Sequence, residues 1–300
     1  NLGEDTIEVR GASIDLNRSN LYAIENVTFS ADSAGAARTV TGNALSNVLL
    51  THVGNDTVSG NAGDDEIRTA NGIDWLEGGV GNDTLDAGAD ADRVYGGAGN
   101  DSVLAGSGDD WVYGEDGDDY VSAGDGVDFV YGGNGNDQIF GFGGNDFLYG
   151  DAGNDTVTGD AGNDAVFGGD GDDKVYGGEG NDRVVGGVGV DLAYGGAGSD
   201  RFVFNTLADA PMTGLDRVMD FVKGVDLIDL SGIDANTTLA GNQTFNFLAE
   251  RPFFTSAGDV WTRDTILGDV VEGDVNGDGN VDFRILVTGG YDLQASSFIL

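Results

Sequence analysis

Gly96-Gly-Ala-Gly-Asn-Asp-Ser-Val-Leu104 and Gly132-Gly-Asn-Gly-Asn-Asp-Gln-Ile-Phe140 are two copies of one nine-residue unit. Counted in blocks of nine from Thr51, the unit runs without insertion to Val203, giving 17 blocks in 153 residues. The sixth position is aspartate in every block: Asp56, Asp65, Asp74, Asp83, Asp92, Asp101, Asp110, Asp119, Asp128, Asp137, Asp146, Asp155, Asp164, Asp173, Asp182, Asp191 and Asp200. The fourth is glycine in 16 blocks, with Asp90 the exception. The eighth is always apolar, from Val58, Ile67 and Leu76 to Val184, Ala193 and Phe202. Glycine supplies the positive φ angles and close backbone approach that a tight turn needs, and aspartate tolerates left-handed geometry better than most residues. The first six positions of each block are therefore expected to form a turn. The last three are expected to form a short strand whose middle residue faces inward. Two units make an 18-residue coil with a strand on each side. Stacked coils then form two parallel sheets over a thin aliphatic core. The expected class is all-β: a parallel β-roll, a right-handed β-helix-like solenoid, with a β-rich C-terminal cap.

The repeat resembles the nonapeptide Gly-Gly-x-Gly-x-Asp-x-apolar-x of the repeats-in-toxin (RTX) family, whose units build a calcium-binding β-roll. Ca²⁺ takes six to eight hard oxygens from carboxylates and carbonyls, and glycine-rich turns expose their carbonyls. The resemblance implies ions held between turns one coil apart. One such site takes the carbonyls of Glu115 and Gly117 with the Asp119 carboxylate, and from the next turn the carbonyls of Gly132 and Asn134 with the Asp137 carboxylate. Seventeen turns paired in this way give up to about 15 sites. Thr51 to Val203 holds 32 acidic and 5 basic residues, net −27, which fifteen divalent ions would roughly neutralise. Without cations the stacked aspartates repel, so the calcium-free roll is expected to be unfolded or molten.

The whole chain of 300 residues has 53 acidic residues against 13 Lys and Arg, a net charge of −40, with one His and no Cys. Such a charge repels phosphate backbones and excludes nucleic acid as a partner. A hydrophobic share of 39% argues against simple disorder. No apolar run approaches the roughly 18 residues of a transmembrane helix, so membrane insertion is not expected. There is no disulfide framework and no thiolate zinc site. The lone His52 cannot supply His-Glu-x-x-His, and neither a Gly-x-Ser-x-Gly elbow nor a phosphate-binding Gly-x-x-x-x-Gly-Lys motif is present, so no enzymatic activity is expected. Opening on Asn1 without Met or an apolar leader, the sequence reads as a piece of a longer protein.

The flanks divide the chain into an N-terminal β segment over 1–50, the roll over 51–203 and a C-terminal β cap over 204–300. Thr6 to Arg10 and Leu21 to Phe29 read as strands. Gly42 to Leu50 keeps the phase with Asn47 at the aspartate position, as a degenerate capping repeat. Asp220-Phe221, Gly224, Asp226 and Ile228-Asp229-Leu230-Ser231-Gly232-Ile233-Asp234 resemble the segment after the roll in serralysin-like secreted metalloproteases, as does Glu272 to Phe283. That resemblance implies that the apolar end, Ser297-Phe298-Ile299-Leu300, belongs to an uncleaved type I secretion signal. Asp274, Asn276, Asp278 and Asp282 place oxygens as in the first part of an EF-hand loop, although Ile285 stands where the bidentate Glu would be. They are candidate calcium ligands in a hairpin.

Positions seven and nine should face outward, and one sheet is aromatic there: Trp75, Trp111, Phe129 and Phe147 at the seventh, Tyr95, Tyr113, Tyr131, Tyr149 and Phe167 at the ninth. Stacked rings stabilise neighbouring strands. A patch of this size also suits self-association or a cell-surface glycan. The implied role is a calcium-binding module of a secreted or cell-surface protein, exported unfolded through the type I machinery and folded by extracellular calcium. A structural or adhesive S-layer-like module and the non-catalytic tail of a secreted hydrolase are the alternatives.

Overall fold

The computed structural model describes residues 6–9, 13–17, 26–29, 35–212, 214–239, 241–248, 256–289 and 292–300. The chain divides into two compact units, Asn1–Gly150 and Asp151–Leu300, and the nonapeptide runs through both.

In the first unit two all-parallel sheets alternate along the sequence. One stacks Thr6–Val9, Asn26–Phe29, Val48–Leu50, Glu66–Arg68, Thr84–Ala89, Ser102–Ser107, Tyr120–Asp125 and Gln138–Gly143 in that order. The other stacks Ser13–Asp15, Thr39–Thr41, Thr57–Ala62, Trp75–Val80, Arg93–Ala98, Trp111–Asp116 and Phe129–Asn134. Register follows the repeat, pairing Val94 with Leu76 on one side and with Val112 on the other. The expected strands at 6–10 and 21–29 are present as Thr6–Val9 and Asn26–Phe29, while Arg10 and residues 21–25 lie outside the described residues.

Most strands are longer than the sequence suggests. They run for six residues, from position seven of one block through position three of the next, as Arg93–Ala98 does. Only positions four to six are left for the turn. Alternation then puts position eight and the following position one inside, so Val94 and Gly96 point inward with half-buried Tyr95 between them. The core is a column of Val, Ile and Leu beside a column of Gly and Ala; Leu76, Leu85, Ala87, Val103, Ala105 and Val112 have no exposed surface. The turn needs positive φ at position four: Gly99 has φ +132° and Gly117 +139°, and Asp90 takes φ 78° where it replaces glycine.

In the second unit one sheet carries Thr156–Ala161, Lys174–Glu179 and Leu192–Ala197, and the other Ala165–Asp170, Arg183–Val188 and Arg201–Val203. Both sheets continue past Val203. Asp216–Val218 pairs parallel with Leu192 and Ala193, and Leu227–Asp229 pairs parallel with Arg201–Val203. The first sheet then turns antiparallel through Phe283–Val287, Gly268–Asp274 and Asp259–Thr265. This meander buries Trp261, Phe283 and Ile285, and the Trp261 indole donates to Glu272 Oε2 at 2.9 Å. Glu272 also accepts from Arg284 Nε at 3.0 Å and Arg263 Nη2 at 3.3 Å, so a buried carboxylate is held by two guanidinium groups. The apolar end forms a last short strand, Phe298–Ile299, parallel to Ile228 and Asp229. Among the described residues no helix is long and apolar enough to cross a membrane.

Candidate metal centre

Within each unit the sixth-position aspartates stack into two columns with a fixed relation between successive members. The backbone N–H of one donates to Oδ1 of the next, one coil on: Asp56 to Asp74 at 2.7 Å, Asp101 to Asp119 at 2.7 Å and Asp119 to Asp137 at 2.8 Å in the first unit, and Asp173 to Asp191 at 2.9 Å in the second. One carboxylate oxygen therefore replaces a ladder acceptor where the turn interrupts the sheet. The other has no such role. In Asp56, Asp65, Asp74, Asp83, Asp92, Asp101, Asp110, Asp119, Asp128, Asp173, Asp182, Asp191 and Asp200, Oδ2 is buried without a hydrogen-bond partner. Asp137, Asp146, Asp155 and Asp164 are buried to the same degree. A buried unpaired carboxylate oxygen is costly, and its recurrence at one register calls for a positive partner.

The oxygens around it fit a hard cation. A methyl built on Gly114 would lie 2.4 Å from Asp119 Oδ2 and 2.4 Å from the Gly132 carbonyl oxygen, so these two converge beside position one. The carbonyl oxygens of Glu115 and Gly117 face the following coil, each 2.0 Å from a methyl built on Gly133 and Gly135 respectively. The Asn134 carbonyl faces back and accepts from Gly117 N–H at 2.8 Å. All six residues that the resemblance implies for this site thus border one gap between coils. The donors are carboxylate and carbonyl oxygens, the set that suits Ca²⁺ and offers nothing to a soft metal.

Burial acts first on the proton affinity of these carboxylates and raises it. The backbone N–H donated from the preceding coil, by an aspartate or for Asp65 by Asn47, opposes the shift, and neighbouring aspartates reinforce it. Asp92 is pushed up to about 8, and Asp65, Asp101, Asp128 and Asp173 to about 7. Without a counter-ion these carboxylates therefore keep their protons to higher pH than a free aspartate does. A divalent cation between two carboxylates replaces them.

The hairpin candidates behave differently. Asp274 Oδ1 accepts from Gly277 N–H at 2.6 Å and Asn276 N–H at 3.2 Å, and its Oδ2 accepts from Gly279 N–H at 3.0 Å. Asp282 accepts from Val275 N–H at 2.7 Å and Asn276 Nδ2 at 3.1 Å, and Asp278 Oδ1 accepts from Asn280 N–H at 2.8 Å. The loop brings the residues together, and their oxygens close its own turns. Among the described residues no point gathers three or more His, Cys, Asp or Glu side chains into a metal cluster. The gaps of the roll supply two carboxylates each and draw the rest of their oxygens from the backbone.

The aromatic positions form two columns in the first unit. Tyr95, Tyr113, Tyr131 and Tyr149 stack with centroids 4.9, 5.2 and 4.9 Å apart, and Trp111, Phe129 and Phe147 stack at 4.6 and 4.8 Å. Trp75 stacks on Tyr95 at 4.9 Å. Phe167, in the second unit, lies under the Arg183 guanidinium at 4.8 Å. The rings cover one another, and Trp75, Trp111 and Phe147 are the most exposed of them.

One residue at the head of a column escaped sequence reasoning. Counting back two blocks from Thr51 puts Arg38 at an aspartate position and Val40 at the apolar one. Arg38 N–H donates to Asp56 Oδ1 at 2.7 Å, as an aspartate would. Its buried guanidinium donates to the Val53 carbonyl at 3.3 Å and stands 3.6 Å from Asp56 Oδ2. The chain thus places a cation of its own at the end of the row. In the other column the end is neutral: Asn47 N–H donates to Asp65 Oδ1 at 2.6 Å, and Asn47 Oδ1 accepts from Asn43 N–H at 2.8 Å.

The RTX calcium-binding nonapeptide repeat, as a family, matches residues 41–76, 68–103, 104–139, 140–175 and 176–206. No curated protein matches the chain. A solved structure, the solution structure of a subunit of the Azotobacter vinelandii mannuronan C5-epimerase, is similar at 20% identity over 70% of this chain and 78% of that one, with a TM-score of 0.26. The family match spans more than half of the 300 residues, in register with the aspartate columns, and the chain belongs to the RTX calcium-binding repeat family.

Proposed function

We propose that this calcium-binding module is a folding device for a secreted or cell-surface protein, unfolded during export and assembled by calcium outside the cell. The observation that carries the reading is the repeated buried Oδ2 without a hydrogen-bond partner, set against carbonyl oxygens of the next coil. In each gap the earlier aspartate presents Oδ2 and the later one Oδ1, as Asp119 and Asp137 do. Glu115, Gly117, Gly132 and Asn134 present carbonyls. Bound Ca²⁺ supplies the positive charge that lets two carboxylates share a buried gap. The residues themselves set the spacing, exclude water and couple one coil to the next. Filling about 15 gaps would balance the net −27 of the repeats.

Extracellular calcium modules bind at about 10⁻⁴ to 10⁻³ M. Free calcium far below that range leaves the aspartates mutually repelling, which suits a chain threaded through a type I channel. RTX repeats are typical of extracellular proteins, in keeping with this compartment. The test is far-ultraviolet circular dichroism of the chelated chain during a calcium titration. A cooperative gain of strand signal through the submillimolar to millimolar range is expected, and a flat response to millimolar calcium contradicts the reading.

A further inference from the structure

One row of aspartates is headed by a residue of the opposite charge. Counted in phase, Arg38 stands at position six and the buried Val40 at position eight. The backbone there is regular. Thr39–Thr41 pairs parallel with Thr57 to Ser59 in the register of the roll. The Arg38 carbonyl accepts from Thr57 N–H at 2.8 Å, and Arg38 N–H donates to Asp56 Oδ1 at 2.7 Å. One coil on, Asp56 makes the same two bonds, its carbonyl accepting from Trp75 N–H at 2.9 Å and its N–H donating to Asp74 Oδ1 at 2.7 Å. Only the side chain at position six differs.

That side chain enters the gap where the repeat would otherwise place an ion. In the gap between Asp119 and Asp137 the later turn offers the Asn134 carbonyl, at position three, and the Asp137 carboxylate. The groups in register with them here are the Val53 carbonyl and the Asp56 carboxylate. Arg38 Nη1 donates to the Val53 carbonyl at 3.3 Å and stands 3.6 Å from Asp56 Oδ2. From the earlier turn the Ala36 carbonyl takes the place of Gly117: its oxygen lies 2.6 Å from a methyl built on Gly54, as Gly117 O lies 2.0 Å from one built on Gly135. The backbone oxygens of a cation site are thus kept, and two of its ligand groups are held by a guanidinium.

The charges balance without a metal. The Arg38 side chain is 2% exposed and that of Asp56 0%, so neither charge is relieved by water. A buried ion pair is tolerated only when each charge meets its partner. Gaps inside the roll face the carboxylates of two aspartates, which suits a divalent ion. At the head of the row Asp56 is the only sixth-position carboxylate, and one guanidinium answers it. Guanidinium stays charged at any pH a protein meets, and a chelator cannot remove it. A Ca²⁺ ion in the same gap would share two oxygens with a fixed positive charge and be repelled by it.

We propose that Arg38 is a built-in substitute for the first calcium ion of its row. The inference rests on the reading that the paired aspartates of the roll take calcium. The gap between the coils of Arg38 and Asp56 takes no ion, and the ions of this row begin between Asp56 and Asp74. In a stack whose coils contact only their neighbours, an end neutralised in advance lowers the calcium needed to start the stack.

The experiment counts calcium bound to the full chain by native mass spectrometry and follows folding by circular dichroism during a calcium titration. Arg38→Asp restores the aspartate of the repeat and is expected to hold one ion more than the parent chain. Arg38→Gln leaves Asp56 without its counter-charge and is expected to fold at a higher calcium midpoint. An unchanged count in Arg38→Asp, or a midpoint in Arg38→Gln equal to or below that of the parent, overturns the proposal. A parent chain that binds no calcium refutes the reading of the roll instead. Should Arg38→Asp fail to fold, crystals of the parent chain grown with Tb³⁺ decide the question. Anomalous density between Asp56 and Asp74 and none between Arg38 and Asp56 is expected, and a peak in that first gap overturns the proposal.

Discussion

Gly117→Ala is expected to destabilise the roll by several kcal/mol even with every gap filled by calcium. The residue has φ +139°, and an added Cβ would lie 1.9 Å from the Gly99 carbonyl oxygen and 2.5 Å from its carbon. The obstacle is backbone, fixed by Gly99 N–H on Asp116 O at 2.7 Å and Gly117 N–H on Asn134 O at 2.8 Å. Neither coil can retreat without breaking its ladder. Backbone strain of about 1–3 kcal/mol adds to overpacking of about 1–3 kcal/mol, against a typical domain stability of about 5–15 kcal/mol. Gly224→Ala is the comparison, with φ +81° and nothing within 4 Å of the added carbon, so strain alone remains. Denaturant unfolding in saturating calcium reads both variants. A large drop in midpoint for Gly117→Ala and a small one for Gly224→Ala is the expected order, and equal midpoints would contradict the stacking.

The calcium-free chain is expected to reverse the usual acid sensitivity of proteins. Asp92 and Asp216 are raised from 3.8 to about 8, and Asp65, Asp101, Asp128 and Asp173 to about 7, by burial first and by neighbouring aspartates after it. Unfolded aspartates titrate near 3.9. Between about pH 4 and about 8 the folded form therefore binds more protons than the unfolded one, and its stability falls as pH rises. The contribution is complete below the unfolded value and lost as pH passes through the folded values. At pH 5.5, above the isoelectric point of 4.1, the calcium-free chain should retain more strand signal than at pH 8. Calcium added at pH 7 should release protons, seen as acidification of a weakly buffered solution. A calcium-free chain more stable at pH 8 than at pH 5.5 would show that these carboxylates are not buried as described.

The period of nine carried most of the architecture because each position has one physical job. Val94 or Leu85 at position eight must face inward, and Gly99 or Gly117 at position four must turn. Strand length was less legible. Position one joins the strand because it alternates inward with position eight, and glycine or alanine there carries too little side chain to betray its burial. Gly96 and Ala105 look like turn residues and are core. The ends were obscured by substitution and by phase. Arg38 reverses the charge of the residue it replaces, so a search for aspartate passes over it, although the apolar Val40 two residues later keeps the register. The continuation of both sheets past Val203 was hidden by interruptions of seven residues and one, although Gly-x-Asp-x-apolar survives at Asp216 and Asp226. The oxygen relation within the site lay beyond sequence altogether, because it takes side-chain geometry to show that one carboxylate oxygen accepts the N–H of the neighbouring coil while the other is left facing the gap.

Calcium-coupled folding of the aspartate columns is tested most directly by sedimentation velocity of the 300-residue chain at pH 7.5, first in excess chelator and then in a few millimolar calcium. A slow, expanded species with chelator, converting to a compact one with calcium and reverting when chelator is restored, is the predicted result. The same compact species in both conditions would contradict it, because the buried carboxylate oxygens would then be tolerated without the ion.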